Sequence, residues 1–240
     1  MKVSVIVEAR LGSKRLPNKI LYKIKKKTFF EYLINNLKYL KNADEIIVAT
    51  TLKKKDDKIA NIARKNKIKF YRGSENNVLK RVINTGKKYK CNIIARVTSD
   101  CPLIDIEIVD KAILMFKKRK CDYLSNVNLR TFPDGMDIEI FTLKTLIKSY
   151  KYAADKKSKE WTTWSIRKKP KIFKHINIEA PKNLYWPELG LTLDEINDVK
   201  FLRKILIYFR EKYKISCLQI INLLKKKNYW LKINQNVKRN

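Results

Sequence analysis

Histidine is almost missing from this chain of 240 residues, and His175 is its only representative. A mechanism built on a histidine base would have to use that one residue. Its setting, FKHINIE, alternates like a strand and reads as packing or surface. Glycine is scarce as well, with five in all, and neither GxxxxGK[ST] nor GxGxxG occurs. A Walker A loop and a dinucleotide fingerprint are thereby ruled out. Cys91, Cys101, Cys121 and Cys217 form no CxxC pair, so neither a zinc site nor a disulfide framework is expected. Only Cys101 adjoins a motif, and each thiol reads as a small apolar filler. No run approaches 18 uncharged apolar residues, and Glu8 and Arg10 interrupt the opening VSVIV before a signal-peptide core can form. The expectation is a soluble, cytoplasmic protein without a membrane partner. No linker rich in Pro, Gly or Ser and no internal repeat divides the chain, which points to a single domain over 1–240.

Acidic residues are also few. The chain has 56 Lys and Arg against 23 Asp and Glu, a formal charge of +33. Such an excess suggests nucleic acid as a partner, but its distribution argues against that as the main role. The runs KIKKK at 23–27, KKK at 53–55, KKRK at 117–120 and KKK at 225–227 scatter over nearly every segment. No single stripe interleaves basic and aromatic residues. A solvated lysine coat accounts for the pattern, and its field would still attract an anionic nucleotide or acidic sugar.

What is present is an alternation of strands and helices. VSVIV reads as a buried strand, FFEYLINNLKYL as a helix, EIIVATT as a strand and DDKIANIARKN as a helix. IKFYRG, NVLKRVINTGKKY and CNIIARVTSD continue the series as strand, helix and strand. Short connections between such units predict an α/β fold with a parallel sheet. Near residue 120 the rhythm changes. CDYLSNV and MDIEIFTL read as strands around the turn-rich LRTFPDG, followed by helices at TLKTLIKSYKYAA and near SKEWTTWSIRKK. Strands at KHINIEA and around GLTLD then lead into one long helical tail from about 197 to 224. Residues 120–180 read as an inserted β/α subregion and a possible dimer surface, and 197–240 as a helical C-terminal tail. Trp161 and Trp164, three apart on a helix, suit core or a dimer interface.

In open α/β sheets, ligands bind beyond the carboxyl ends of the strands. That selects the loop after VSVIV, the end of IIARVTSD and the end of LTLD. The first holds Arg10, Arg15 and Lys19 within ten residues, with Gly12 and Ser13 able to admit and donate to phosphate oxygens. The other two end in Asp100 and Asp194. Cations for a triphosphate opposite two hard carboxylates are what Mg²⁺-nucleotide chemistry requires. Either aspartate could instead cap the helix that follows it, and Asp134-Gly135 could be only a turn.

Five ordered segments, VEARLGSKRLPNKIL, FYRGSENNVLKRV, RVTSDCPLID, RTFPDGMDIEIF and LTLDEINDVKFL, resemble the cytidylyltransferase family. That family includes the enzymes that make CMP-sialic acid and CMP-Kdo, and the resemblance is strongest to its spore coat polysaccharide branch. It implies a Rossmann-like nucleotide-diphospho-sugar transferase fold, a mostly parallel mixed sheet flanked by helices, often in a homodimer. It further implies attack of a sugar hydroxyl on the α-phosphate of CTP with release of pyrophosphate, an acidic eight- or nine-carbon sugar being one class of acceptor. Arg10 and Lys19 would clamp the triphosphate, with Ala9, Leu11, Gly12, Ser13 and Arg15 supporting it. Arg72 and Ser74 would lie near base and ribose, Asp100 and Asp194 would hold Mg²⁺, and Asp137 and Glu139 would face the sugar. Two positions depart from the branch. Relatives commonly carry Gln where this chain has Glu8, and an Arg-Glu-His-type segment where it reads SKEWTTW, with Trp161 at the histidine position. The same fold could use GTP or another NTP, and a non-enzymatic binder of RNA or another polyanion is the remaining alternative.

Overall fold

A computed structural model of the chain describes residues 1–239. The first half is built of β1 (Val3–Glu8), α1 (Phe29–Leu37), β2 (Glu45–Thr51), α2 (Asp57–Lys65), β3 (Lys69–Gly73), α3 (Val78–Lys88), β4 (Ile93–Thr98) and α4 (Ile106–Lys118). β1 is apolar on both faces because helices cover it on both sides. Val3, Val5 and Val7 enter one core cluster with α1 and α4, while Ile6 enters a second cluster with α3. This is the two-residue alternation of a strand. Helix starts follow local chemistry. Thr28 and Glu31 form a reciprocal capping box at α1, Asn77 accepts from the Lys80 amide at α3, and Asp105 accepts from the Glu107 amide at α4.

Strands β5 (Tyr123–Ser125), β6 (Glu139–Thr142) and β7 (His175–Asn177) extend the same sheet, with α5 (Leu143–Tyr150), α6 (Lys156–Glu160) and α7 (Trp164–Arg167) between β6 and β7. The sheet order is β3-β2-β1-β4-β6-β5-β7. The β3-β2-β1-β4 portion is parallel, and β6 runs antiparallel to both β4 and β5. The α/β reading and the mixed, mostly parallel sheet are therefore found. Because β2 lies on one side of β1 and β4 on the other, the chain reverses its direction of travel at the β1–β4 pair. A crevice opens there, beyond the carboxyl ends of those strands.

Three sequence expectations need correction. The segment around GLTLD is not a ladder strand. Leu189, Leu191 and Leu193 do alternate into the core, but their amides bond to Trp186, Asp134 and Asp100 carbonyls in turn. Only an isolated bridge joins Asp134 to Gly190. Second, the tail is not one helix. α8 (Ile196–Tyr208) ends where Arg210, Glu211 and Lys214 take positive φ, and α9 (Cys217–Lys226) restarts on a Ser216–Gln219 capping box. Third, SKEWTTWSIRKK forms the two short helices α6 and α7, because the chain turns at Trp161–Thr163 to send Thr162 and Thr163 inward. Gly135, at φ +108°, lies where any Cβ would fall 2.8 Å from the Leu191 carbonyl carbon, so a side chain there would push the two loops apart.

Candidate active site

The loop after β1 is pinned from below. Asp56, fully buried, accepts from the Leu11 amide at 2.8 Å and from the Thr51 hydroxyl. The loop closes where the Asn18 amide reaches the Leu11 carbonyl at 3.2 Å. Asn18 is left-handed, at φ 57°, and starts the 3-10 turn Lys19–Leu21 that turns Lys19 back across the crevice. Arg10 projects outward and makes no salt bridge among the described residues.

Lys19 is the hub. Its Nζ donates to Asp100 Oδ2 at 2.7 Å and to Asp194 Oδ1 at 3.2 Å. Arg15 adds a second contact to Asp194 Oδ1, at 2.8 Å. The two aspartate segments are themselves joined, because the Leu193 amide donates to the Asp100 carbonyl at 2.9 Å. Neither aspartate caps a helix: Asp105 caps α4 and Glu195 caps α8. The capping alternative is thus removed, and both carboxylates are held for the crevice. Burial pulls the Lys19 ammonium down, but Asp100 and then Asp194 more than reverse this and leave it above the ordinary lysine value. Burial pushes Asp100 up, but the Lys19 charge and the hydrogen bonds from Lys19 and Thr98 together outweigh it, so the carboxyl stays below its ordinary value.

Around this hub lies a polar cleft of about 400 Å³. Its walls are the first loop (Ala9, Arg10, Gly12, Ser13, Arg15, Lys19), the β4 end (Asp100), Asp194, Arg81 from α3, and Lys156 and Glu160 from α6. Leu11 belongs to the core beneath the loop. Arg72 and Ser74 line a neighbouring cavity on the β3 side. Arg72 is engaged there, with Nε on the Thr51 carbonyl at 2.9 Å and Nη1 on Asp57 at 2.6 Å.

Asp137 and Glu139 are not brought into the cleft. Asp137 takes both arms of Arg130, at 2.9 and 3.0 Å. Glu139 is 3% exposed and bound by Arg96, the Tyr123 hydroxyl and the Thr163 hydroxyl. Burial raises the Glu139 carboxyl, but the Arg96 charge together with the Thr163 and Tyr123 hydrogen bonds outweighs it and lowers the group. The same Arg96 forks onto both oxygens of Glu8, each at 2.8 Å, so the carboxylate at the branch's glutamine position carries its own counter-charge. Thr162, next to Trp161 in the second departing segment, donates to Glu8 at 2.5 Å.

Three contributors escaped sequence reasoning. Asp56 lies outside the quoted motifs and Arg96 opens RVTSDCPLID, but neither shows its partner in sequence, since Leu11 and Glu8 lie 45 and 88 positions away. Arg81 is the third. It is 2% exposed, lines both the main cleft and the β3-side cavity, and leaves its Nε without a partner. Burial lowers it. Its signal was a basic residue within an otherwise apolar helix face. Other candidates lead elsewhere. Cys101 is fully enclosed, with a thiol raised well above the ordinary value by burial, so it is no nucleophile. His175 packs edge-on to Tyr123 and bonds the Ile166 carbonyl. Trp161 is 45% exposed and stacks edge-to-face on Trp164, which removes it from the core. No helix among the described residues is long and apolar enough to cross a membrane.

A cytidylyltransferase from Leptospira borgpetersenii superposes with a TM-score of 0.91 at 34% identity, over 100% of this chain and 99% of that one. The fold is shared, at 13% identity and a TM-score of 0.64, with CMP:2-keto-3-deoxy-manno-octonic acid synthetase complexed with CTP, over 87% of this chain and 100% of the other. An uncharacterized protein of Methanocaldococcus jannaschii is 37% identical over 99% of this chain and 96% of its own length. The spore coat polysaccharide biosynthesis protein SpsF of Bacillus subtilis is 29% identical over 91% and 92%. The cytidylyltransferase family model matches residues 4–236. The chain belongs to the cytidylyltransferase family.

Proposed function

We propose that this chain transfers a cytidylyl group from CTP to a sugar hydroxyl with Mg²⁺, releasing pyrophosphate. The observation that carries the reading is the Lys19 ammonium set between Asp100 and Asp194, opposite the Arg10–Ser13 loop. In the transfer, the acceptor oxygen bonds to the α-phosphorus as the bond to the oxygen bridging the β-phosphorus breaks. The leaving electron pair goes to pyrophosphate and the hydroxyl proton to solvent. Little covalent help is needed from protein, since position and charge supply most of the catalysis. Arg10, Arg15 and the loop amides neutralise the triphosphate. Lys19, kept protonated by its carboxylates, serves as a clamp rather than a base.

Asp100 and Asp194, the two carboxylates that converge on the Lys19 ammonium, would hold a magnesium ion, since Mg²⁺ characteristically takes one or two carboxylates with phosphates and waters. When bound, the ion polarises the phosphate and offsets charge on pyrophosphate.

CTP as donor is supported by the family; the β3-side cavity around Arg72, Ser74 and Arg81 is where base and ribose would lie. A surface-glycan sugar is supported by the Bacillus subtilis relative, a spore coat polysaccharide biosynthesis protein. We place the enzyme in the cytoplasm, with its nucleotide. A second copy would cover Tyr150, Tyr152 and Trp161, all exposed in the 120–180 region, and sedimentation velocity tests that homodimer.

Thermal stabilisation by CTP, GTP, UTP and ATP, with and without Mg²⁺, tests the function in wild type and Asp100→Asn. A ligand at 100 times its Kd adds about 2.7 kcal/mol. A Mg²⁺-dependent shift with CTP, lost in the variant, is expected. Preference for GTP changes the donor. Equal small shifts with every polyanion, indifferent to the substitution, would return the lysine coat to first place.

A further inference from the structure

Asp198 is fully buried, and the four hydrogen bonds to its carboxylate all bear on the site. Its Oδ2 accepts from the backbone amides of Asp194 and Glu195, at 3.0 and 2.9 Å. Its Oδ1 accepts from Asn234 Nδ2 at 2.9 Å and Arg239 Nη2 at 2.8 Å. Asn234 also ties down the Gly190 carbonyl at 3.1 Å. The other arm of Arg239 donates to the Thr192 hydroxyl at 3.1 Å, and that hydroxyl donates to Asp194 Oδ2 at 3.0 Å. Arg15, which pairs with Asp194, places its second nitrogen on the Lys238 carbonyl at 2.8 Å. Apart from Lys19, the contacts that orient Asp194 therefore lead to residues 234–239 directly or through one neighbour.

Charge supports the same connection. Asp100, Asp194 and Asp198 face Arg15, Lys19 and Arg239, three against three. A fully buried carboxylate deprived of its cation is strongly unfavourable. Without Arg239 the Asp198 charge would rest on amides alone, and the Asp194 backbone it holds would loosen.

We infer that residues 234–239 complete the active site, with Asn234 and Arg239 as positioning residues that set the Asp194 carboxylate through Asp198 and Thr192. The inference rests on the reading of Asp194 as the magnesium-facing carboxylate. Partners that orient metal-bound carboxylates typically change metal affinity about 10- to 100-fold when removed.

The test uses the full chain, Arg239→Ala and Arg239→Lys, with two measurements. The first is amide hydrogen exchange across 190–199 without nucleotide. Arg239→Ala is expected to speed exchange at Asp194 and Glu195 by about tenfold or more, with β1 and β4 unchanged. Arg239→Lys, which keeps the charge but not the fork, should recover part of the protection. The second is the Mg²⁺ concentration for half-maximal stabilisation by CTP, expected to rise about tenfold in Arg239→Ala. Unchanged exchange at Asp194 and Glu195 in Arg239→Ala overturns the inference, whatever happens to the melting temperature. If local exchange responds but the wild type shows no Mg²⁺-dependent CTP shift, the positioning stands and the functional reading of Asp194 falls.

Discussion

Lys19 places its ammonium 2.7 Å from Asp100 Oδ2, although the two residues are 81 positions apart. The same nitrogen reaches Asp194, so one cation keeps two carboxylates from repelling each other across the crevice.

Lys19→Met therefore has two expected effects. Cytidylyl transfer should fall by about 10²- to 10³-fold, the scale for losing one preorganised charge contact. Mg²⁺ alone should raise the melting temperature of the variant more than that of the wild type, because an ion entering between Asp100 and Asp194 no longer displaces an ammonium. Calorimetric scans over a Mg²⁺ series check this, and equal shifts in both proteins would count against metal binding at the pair.

Arg81 is buried with Nε unpaired and faces both cavities. Arg81→Lys retains the charge and loses the planar fork. We expect CTP affinity to weaken about tenfold, or about 1.4 kcal/mol, with a smaller change for inorganic triphosphate, which lacks base and ribose. Titration calorimetry with both ligands distinguishes a nucleotide contact from a general loss of positive field.

Glu8 and Arg96 separate charge from chemistry. Glu8→Gln should leave CTP affinity within about threefold of wild type, because Arg96 already answers the Glu8 charge. Arg96→Met strands Glu8 and Glu139 together in the interior and should cost about 3–5 kcal/mol of stability. Urea denaturation of both variants checks the contrast.

Asp134 supplies a pH signature. Burial first, and Asp137 second, raise its carboxyl to about 6, against the opposing pull of Arg130 and Arg239, with Asp194 adding to the rise. The folded chain then binds a proton that the unfolded chain has released, so this group's contribution to stability is full below the ordinary aspartate value. It declines as pH rises from about 4 to about 6 and is constant above. Asp134→Asn removes that decline. Denaturation in EDTA between pH 4 and 8 should show the variant gaining on the wild type up to about pH 6, then running parallel to it.

The fold was legible wherever period and burial coincide. β1 and β2 are mostly apolar and mostly buried because they are covered on both faces, and the switch in rhythm near 120 marks the antiparallel strand β6. Lys19, Asp100 and Asp194 were legible because strand ends in such sheets collect ligands. The break in the tail was less so. Left-handed Arg210, Glu211 and Lys214 look like ordinary helix formers in sequence, and only the Ser216–Gln219 box marks the restart. Glu139 misled for a plain reason. Its spacing from Asp137 gives a shared strand face, but Arg96, which lies 43 positions away, decides what that face meets.

The hydrogen bond from Thr162 to Glu8 has a consequence for anyone transplanting specificity between relatives. Residue 8 ends β1 beneath the nucleotide loop, while Thr162 and Thr163 belong to the turn between α6 and α7, and both threonines reach the carboxylates that share Arg96. The turn and the strand end form one exchangeable module whose parts lie 154 positions apart. A graft into 156–167 alone would replace the hydroxyls that Glu8 and Glu139 accept from while leaving both carboxylates in place. Moved together with residue 8, the same segment would arrive with its hydrogen-bond donors and acceptors already matched.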